Sequence, residues 1–264
     1  MKTCLFLLLL SFQFLGTPGK AQQGTTYYDE EQTQVKERFQ TKGEVPHGAY
    51  RHFDPFGNLT QIGQFQEGKK SGTFYELHPQ TGDTLKVTPY VEDQVDGVVT
   101  SFFPDGTVAQ KATFQKGEIQ GTLETFYASG SLKSSTRFEN GKPHGLNEIF
   151  FENGKIQETQ QFDQGLLNGV QKTYDENGQL LTAQNYKEGS LEGHYTSYFP
   201  DGTLSSEVEY KNGVRHGDYA TYHENGKLKE QGKYRMGLRH GVFSTFDESG
   251  KLLDEKEFKR GNPN

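Results

Sequence analysis

Apolar positions along residues 48–261 recur in columns 24 residues apart, far from helical spacing, and so mark a repeat. A glycine opens each repeat, at Gly48, Gly72, Gly97, Gly121, Gly145, Gly169, Gly193, Gly217 and Gly241, with one step of 25. Offsets are counted from that glycine. At offset 5 stands a ring, from Phe53, Phe102 and Phe126 to Phe246, with Leu77 in the second repeat. At offset 9 comes another glycine, from Gly57 and Gly106 to Gly250, and at offset 11 a Leu, Ile or Val, from Leu59 and Val108 to Leu252. A second ring column follows at offset 17, from Phe65 to Phe258, displaced by one residue where the second repeat reaches Gly82 late. The extra residue is assigned to Pro79-Gln80-Thr81.

Short apolar runs broken by Gly, Pro, Asn and Asp predict hairpins. Phe103-Pro104-Asp105-Gly106-Thr107 and Phe199-Pro200-Asp201-Gly202-Thr203 have the order of a type I turn closed by a glycine bulge, with three loop residues. That register sets the offset-5 ring opposite the offset-11 aliphatic residue and is expected to bring the offset-17 ring to the same face. A two-residue Asn-Gly turn, open at Asn153-Gly154, would send ring and aliphatic residue to opposite faces. It would also leave Pro104 and Pro200 at paired positions without an N–H. The expected fold is all-β: an elongated single-sheet array of antiparallel β-hairpins, about nine 24-residue units.

Only 31% of the chain is hydrophobic and 32 residues are glycine, thin material for one large globular core. Lys2, the apolar run from Leu5 to Leu15 and the Gly19-Lys20-Ala21 exit predict a signal peptide over residues 1–21. The apolar run is shorter than the roughly 20 residues a membrane span needs, so no membrane span is expected, and the protein is placed in a periplasm or outside the cell. Residues 22–47 read as a polar segment and cap, with Val35 to Phe39 as a half-hairpin; residues 48–264 form the repeat domain, which Lys259 to Asn264 close. Cys4 is the single cysteine and precedes the cleavage point, so the mature chain has neither a disulfide nor a thiolate metal site. The net charge of -7, with cations dispersed among acids, argues against nucleic acid.

The unit written Asn225-Gly226-Lys227-Leu228 through Tyr234, Gly237 and His240-Gly241 resembles the MORN repeat variant found in YwqK-family antitoxin proteins. The resemblance covers Gly48 to Gly261. It implies a hairpin array and an interaction or scaffold role, with no catalytic residue. Those antitoxins are expected in the cytoplasm, whereas this chain carries an export signal, which leaves an immunity role outside the cytoplasm as its counterpart here.

His47, His144, His216 and His240 each precede the repeat glycine and so belong to the repeat itself. Carboxylates such as Asp175, Glu176, Asp247 and Glu248 fall in turns, where acids bond local backbone. No serine lies in a Gly-x-Ser-x-Gly elbow. Neither an enzyme nor a cofactor or metal is expected. The candidate site is offset 6, where Phe103, Tyr127, Phe151 and Phe199 recur while Asp54, Asp175, His223 and Asp247 stand elsewhere. Tyr195, Tyr219 and Phe243 at offset 2 extend the same face, interrupted by Asn147 and Gln171. The expected ligand is a partner protein or a second copy of the chain. The alternative, a glycan or cell-envelope binder, is disfavoured by the lack of tryptophan.

Overall fold

The computed structural model describes residues 22–263; the expected signal peptide, with Cys4, and Asn264 lie outside the described residues. The chain divides into an N-terminal half up to Gly121 and a C-terminal half from Thr122. No helix occurs among the described residues, so none is long and apolar enough to cross a membrane. In the N-terminal half, Gln22–Tyr27, Val35–Lys42, Val45–Phe53 and Leu59–Gln66 pair antiparallel in chain order, and the pattern runs on to Val108–Gln115. In the C-terminal half it runs from Leu132–Glu139 to Asn262–Pro263. Each half is a single antiparallel layer.

The three-residue turn forms as its sequence requires. Phe103 N–H donates to Thr107 O at 2.8 Å and Gly106 N–H to Phe103 O at 2.9 Å, with Gly106 at φ 85°. Asn153-Gly154 adopts the same geometry, Phe151 N–H reaching Lys155 O at 2.9 Å. Offset 5 accordingly faces offset 11 in the pairs Phe53 with Leu59, Phe102 with Val108, Phe150 with Ile156 and Tyr198 with Leu204. The late second repeat absorbs its extra residue in a wider loop, where Gly82 N–H donates to His78 O and His78 N–H to Asp83 O, both at 2.8 Å.

The structure corrects the expected position of the third column. Phe53 pairs with Leu59 but His52 with Gln61, leaving Thr60 as an extra residue; Gln157, Leu181 and Ser205 occupy the same place in later repeats. Such a bulge inverts the in-out alternation beyond it. The offset-17 ring therefore lies with offset 2 on the face opposite offsets 5 and 11. Phe65 meets Tyr50 at 5.1 Å between ring centroids, and Tyr234 meets Tyr219 at 5.4 Å, both edge to face.

That ring-on-ring contact substitutes for a second layer. In the N-terminal half Phe39, Tyr50 and Phe74 are buried, with Phe65 and Tyr90 packed against them. In the C-terminal half Phe243 touches Tyr219, Tyr234 and Phe258 at 5.3–6.1 Å. Edge-to-face pairs contribute about 0.5–1.5 kcal/mol each beyond area burial. Arg239 covers Phe243 and Phe258 at 4.5 and 5.2 Å, and Lys70 covers Phe74 and Tyr90 at 5.0 and 4.9 Å. The opposite face is more polar: Tyr222 there donates to Glu207 at 2.6 Å, and burial followed by that carboxylate raises its phenol to about 12.

At the other edge, strands join through two-residue turns with both residues at positive φ, as in Lys116-Gly117 at 50° and 84°. Glu92-Asp93 makes this turn without glycine, at 49° and 68°, and Asp93 Oδ1 accepts the Lys70 N–H at 2.7 Å. Successive turns are tied together, Gly117 N–H to Val95 O and Gly189 N–H to Leu167 O, each at 2.8 Å.

Two expectations follow. Gly63 lies flat beneath Phe74, which is 1% exposed, and a Cβ at residue 63 would stand 2.5 Å from that ring; Gly232 holds the same relation to Phe243 at 2.6 Å. Gly63→Ala and Gly232→Ala each cost about 1–3 kcal/mol of stability in denaturant titration, and pairing Gly63→Ala with Phe74→Leu recovers part of the loss. Turn carboxylates set the acid response. Asp105, Asp175 and Asp201 are held below the usual carboxylate range chiefly by the backbone N–H groups of Thr107, Gln179 and Thr203, and Asp54 and Asp247 chiefly by the side chains of Asn58 and Ser249. Their stabilisation is complete above the unfolded value near 3.9 and is lost as pH falls through the lower folded values. The melting temperature drops over that interval, and Asp54→Asn/Asp175→Asn/Asp247→Asn shows a shallower drop.

Candidate partner-binding face

Phe103, Tyr127, Phe151 and Phe199 each stand immediately before the three loop residues of a turn, and all four are half-buried. Where offset 6 is acidic it serves the turn itself: Asp54 Oδ1 accepts the N–H groups of Phe56 and Asn58, and Asp175 Oδ1 those of Asn177 and Gln179, all at 2.8–2.9 Å. Where offset 6 is a ring, offset 8 takes over that duty in Asp105, Asn153 and Asp201, which accept the N–H groups of Thr107, Lys155 and Thr203 at 2.8–3.0 Å. Phe103, Phe151 and Phe199 are thus released from turn chemistry.

The four do not form one continuous row. Phe103 belongs to the N-terminal half and the other three to the C-terminal half. Tyr127 and Phe151 head consecutive turns, joined where Tyr127 Oη donates to Phe150 O at 2.8 Å. The turn headed by Asp175 stands between Phe151 and Phe199. Other turns are laced similarly: His223 Nε2 donates to Phe246 O at 2.9 Å and Asn225 Nδ2 to Glu248 O at 2.8 Å.

Offset 2 lies on the same face, since it is four residues along an unbulged strand from offset 6. Asn147 and Gln171, legible in sequence only as interruptions, belong to a connected amide row. Thr136 Oγ1 donates to Asn147 Oδ1 at 2.5 Å, Asn147 Nδ2 to Gln160 Oε1 at 2.9 Å and Gln184 Nε2 to Gln171 Oε1 at 2.7 Å. Glu158 Oε1 gathers the side-chain amides of Gln160 and Gln171. Asn147 is only 7% exposed. Once offset 2 is known to pair with offset 15, sequence names Gln160 and Gln184 as partners; that register was the missing signal. Beyond the row the column returns to rings at Tyr195, Tyr219 and Phe243. Tyr219 donates to Glu230 at 3.0 Å; burial first, and then this carboxylate, raises its phenol.

Of the histidines before the repeat glycine, His47 and His216 face the N–H of a neighbouring turn. Glu67 N–H points to His47 Nδ1 at 3.4 Å, a place taken in other repeats by Asp96 and Glu192, which accept the N–H groups of Lys116 and Asn212 at 3.2 and 2.7 Å. His144 lies between Glu139 and Asp163 at 3.5 and 3.3 Å; the short distance to Asp163 lacks hydrogen-bond alignment at its buried Nδ1. Among the described residues no group of three or more His, Asp or Glu converges as metal ligands. A shallow depression near the C-terminal turns is bordered by Thr221, His223, Glu230, Phe246 and Leu253.

No curated protein matches the chain. The solved structure of the ASR alternansucrase in complex with isomaltononaose aligns over 91% of this chain and 18% of its own at 16% identity, with a TM-score of 0.21, too low to support an argument. Seven segments, 46–67, 95–116, 143–164, 167–188, 191–212, 215–236 and 239–260, match the MORN repeat variant. These segments make up more than half of the sequence, each holds the offset-17 ring and ends on the first residue of the two-residue turn that follows it, and the chain belongs to the MORN repeat variant family, whose arrays are in general non-catalytic scaffolds.

Proposed function

We propose that the chain is an exported repeat scaffold that holds a protein partner against the face bearing offsets 2, 6 and 17. The observation that carries this reading is the exchange of turn-bonding Asp for rings at offset 6, where Asp105, Asn153 and Asp201 hold the turn instead and its geometry is unchanged. A position that changes chemistry on a constant frame is free for recognition. Half-buried rings beside amides suit a protein surface, where aromatic contacts and hydrogen bonds combine. The apolar N-terminal run supports export, and the YwqK-type resemblance suggests neutralisation as one outcome of holding a partner. An amide row beside rings also suits sugars, so glycan binding is the second reading.

Crosslinking and capture with residues 22–264 in the envelope of the source cell tests this, beside a variant carrying Phe103→Ala, Tyr127→Ala, Phe151→Ala and Phe199→Ala. One enriched protein, lost with the variant while its melting transition persists, is the expected result. Retention of glycan alone, or capture indifferent to the four rings, overturns the protein reading. Tyr127→Phe separates loss of the ring from loss of its bond to Phe150 O.

A further inference from the structure

Three successive two-residue turns in the C-terminal half gather cations: Lys211 with Arg215, Arg235 with Arg239, and Lys259 with Arg260. The fold does not demand them, because earlier turns hold Glu139 with Pro143 and Asp163 with Leu167 at equivalent places. They stand out in a chain of net charge -7. Arg239 pairs with Glu230 at 2.9 Å, and Arg215 lies 5.3 Å from the Tyr234 ring centroid. Lys211, Arg235, Lys259 and Arg260 are exposed and form no ion pair among the described residues. Between them protrude Val214, Met236 and Leu238, 47%, 76% and 50% exposed.

The spacing of these turns selects a kind of ligand. Consecutive turns on one edge are two strands apart, about 9.6 Å. A polyproline II chain repeats every three residues at about 9.3 Å, with residues i and i+3 on one side. We propose that this row binds an extended acidic segment of a partner protein, in polyproline II form, with a carboxylate at every third residue and small apolar residues meeting Val214, Met236 and Leu238. The assignment rests on the protein-scaffold reading and adds to it a second surface and a partner chemistry. A planar anionic membrane fits less well, because Glu209, Asp218 and Glu257 lie on the strands leaving these turns and would meet the same plane.

Fluorescence anisotropy at low salt, with residues 22–264 and a labelled peptide of three Pro-Glu-Pro triplets, tests it. The control peptide has the same composition with its glutamates consecutive. The periodic peptide is expected to bind more tightly than the control, to weaken with added salt, and to lose about tenfold in affinity, or 1.4 kcal/mol, in Lys211→Gln/Arg235→Gln/Lys259→Gln. Lys211→Arg/Arg235→Lys/Lys259→Arg retains binding, which separates charge from any effect on folding. Equal binding of the two peptides, an unaffected Gln variant, or flotation with phosphatidylglycerol vesicles without peptide binding overturns the proposal. The four-ring variant binds the periodic peptide normally, so a failed peptide assay beside ring-dependent protein capture overturns this inference alone.

Discussion

A sheet with no second layer must bury its apolar surface sideways, ring against ring across neighbouring strands, and most of this molecule's organisation answers that constraint. The offset-17 and offset-2 rings meet edge to face in the N-terminal cluster of Tyr50, Phe65, Phe74 and Tyr90 and again around Phe243. Glycine at Gly63 and Gly232 lets the next ring lie directly on the backbone. Cationic side chains close over these rings, the Lys70 ammonium lying 5.0 Å from the Phe74 centroid and the Arg239 guanidinium 4.5 Å from that of Phe243.

The bulge after offset 11 makes this arrangement possible. Without it the two most regular ring columns would crowd one face, and the offset-2 rings would have no offset-17 ring to pack against. With it, each face receives one ring column and a share of the lateral packing. The turns complete the frame: the three-residue turn takes its acceptor from offset 6, or from offset 8 where Phe103, Phe151 and Phe199 stand at offset 6. Recognition chemistry therefore varies where neither turn nor register depends on the side chain.

Period, turn type and the pairing of Phe102 with Val108 were legible in sequence because each follows from local chemistry, chiefly Pro104, Asp105 and Gly106. The side taken by Phe65 was not. Thr60 has no property that marks it as an extra residue, and its effect is visible only when His52 is found opposite Gln61. The amide row was half legible for a related reason: Asn147 and Gln171 are conspicuous among rings, while Thr136, Gln160 and Gln184 sit on strands whose register must first be known. The cations at Lys211, Arg235 and Lys259 look dispersed in a linear count and gather only when the turns align along one edge.

The wide loop from His78 to Asp83 shows what this frame does with a change in length. One surplus residue is expelled into the loop, and Glu76 still pairs with Lys86. The bonds that tie each turn to the next, such as Gly117 to Val95 and Tyr127 to Phe150, link residues about one period apart, so a whole repeat can be added or removed with every remaining bond re-formed. Growth by duplication of complete repeats is thereby the path of least disruption, and the reach of the scaffold can be inherited in steps of one hairpin pair while each new copy begins to diverge at offsets 2 and 6.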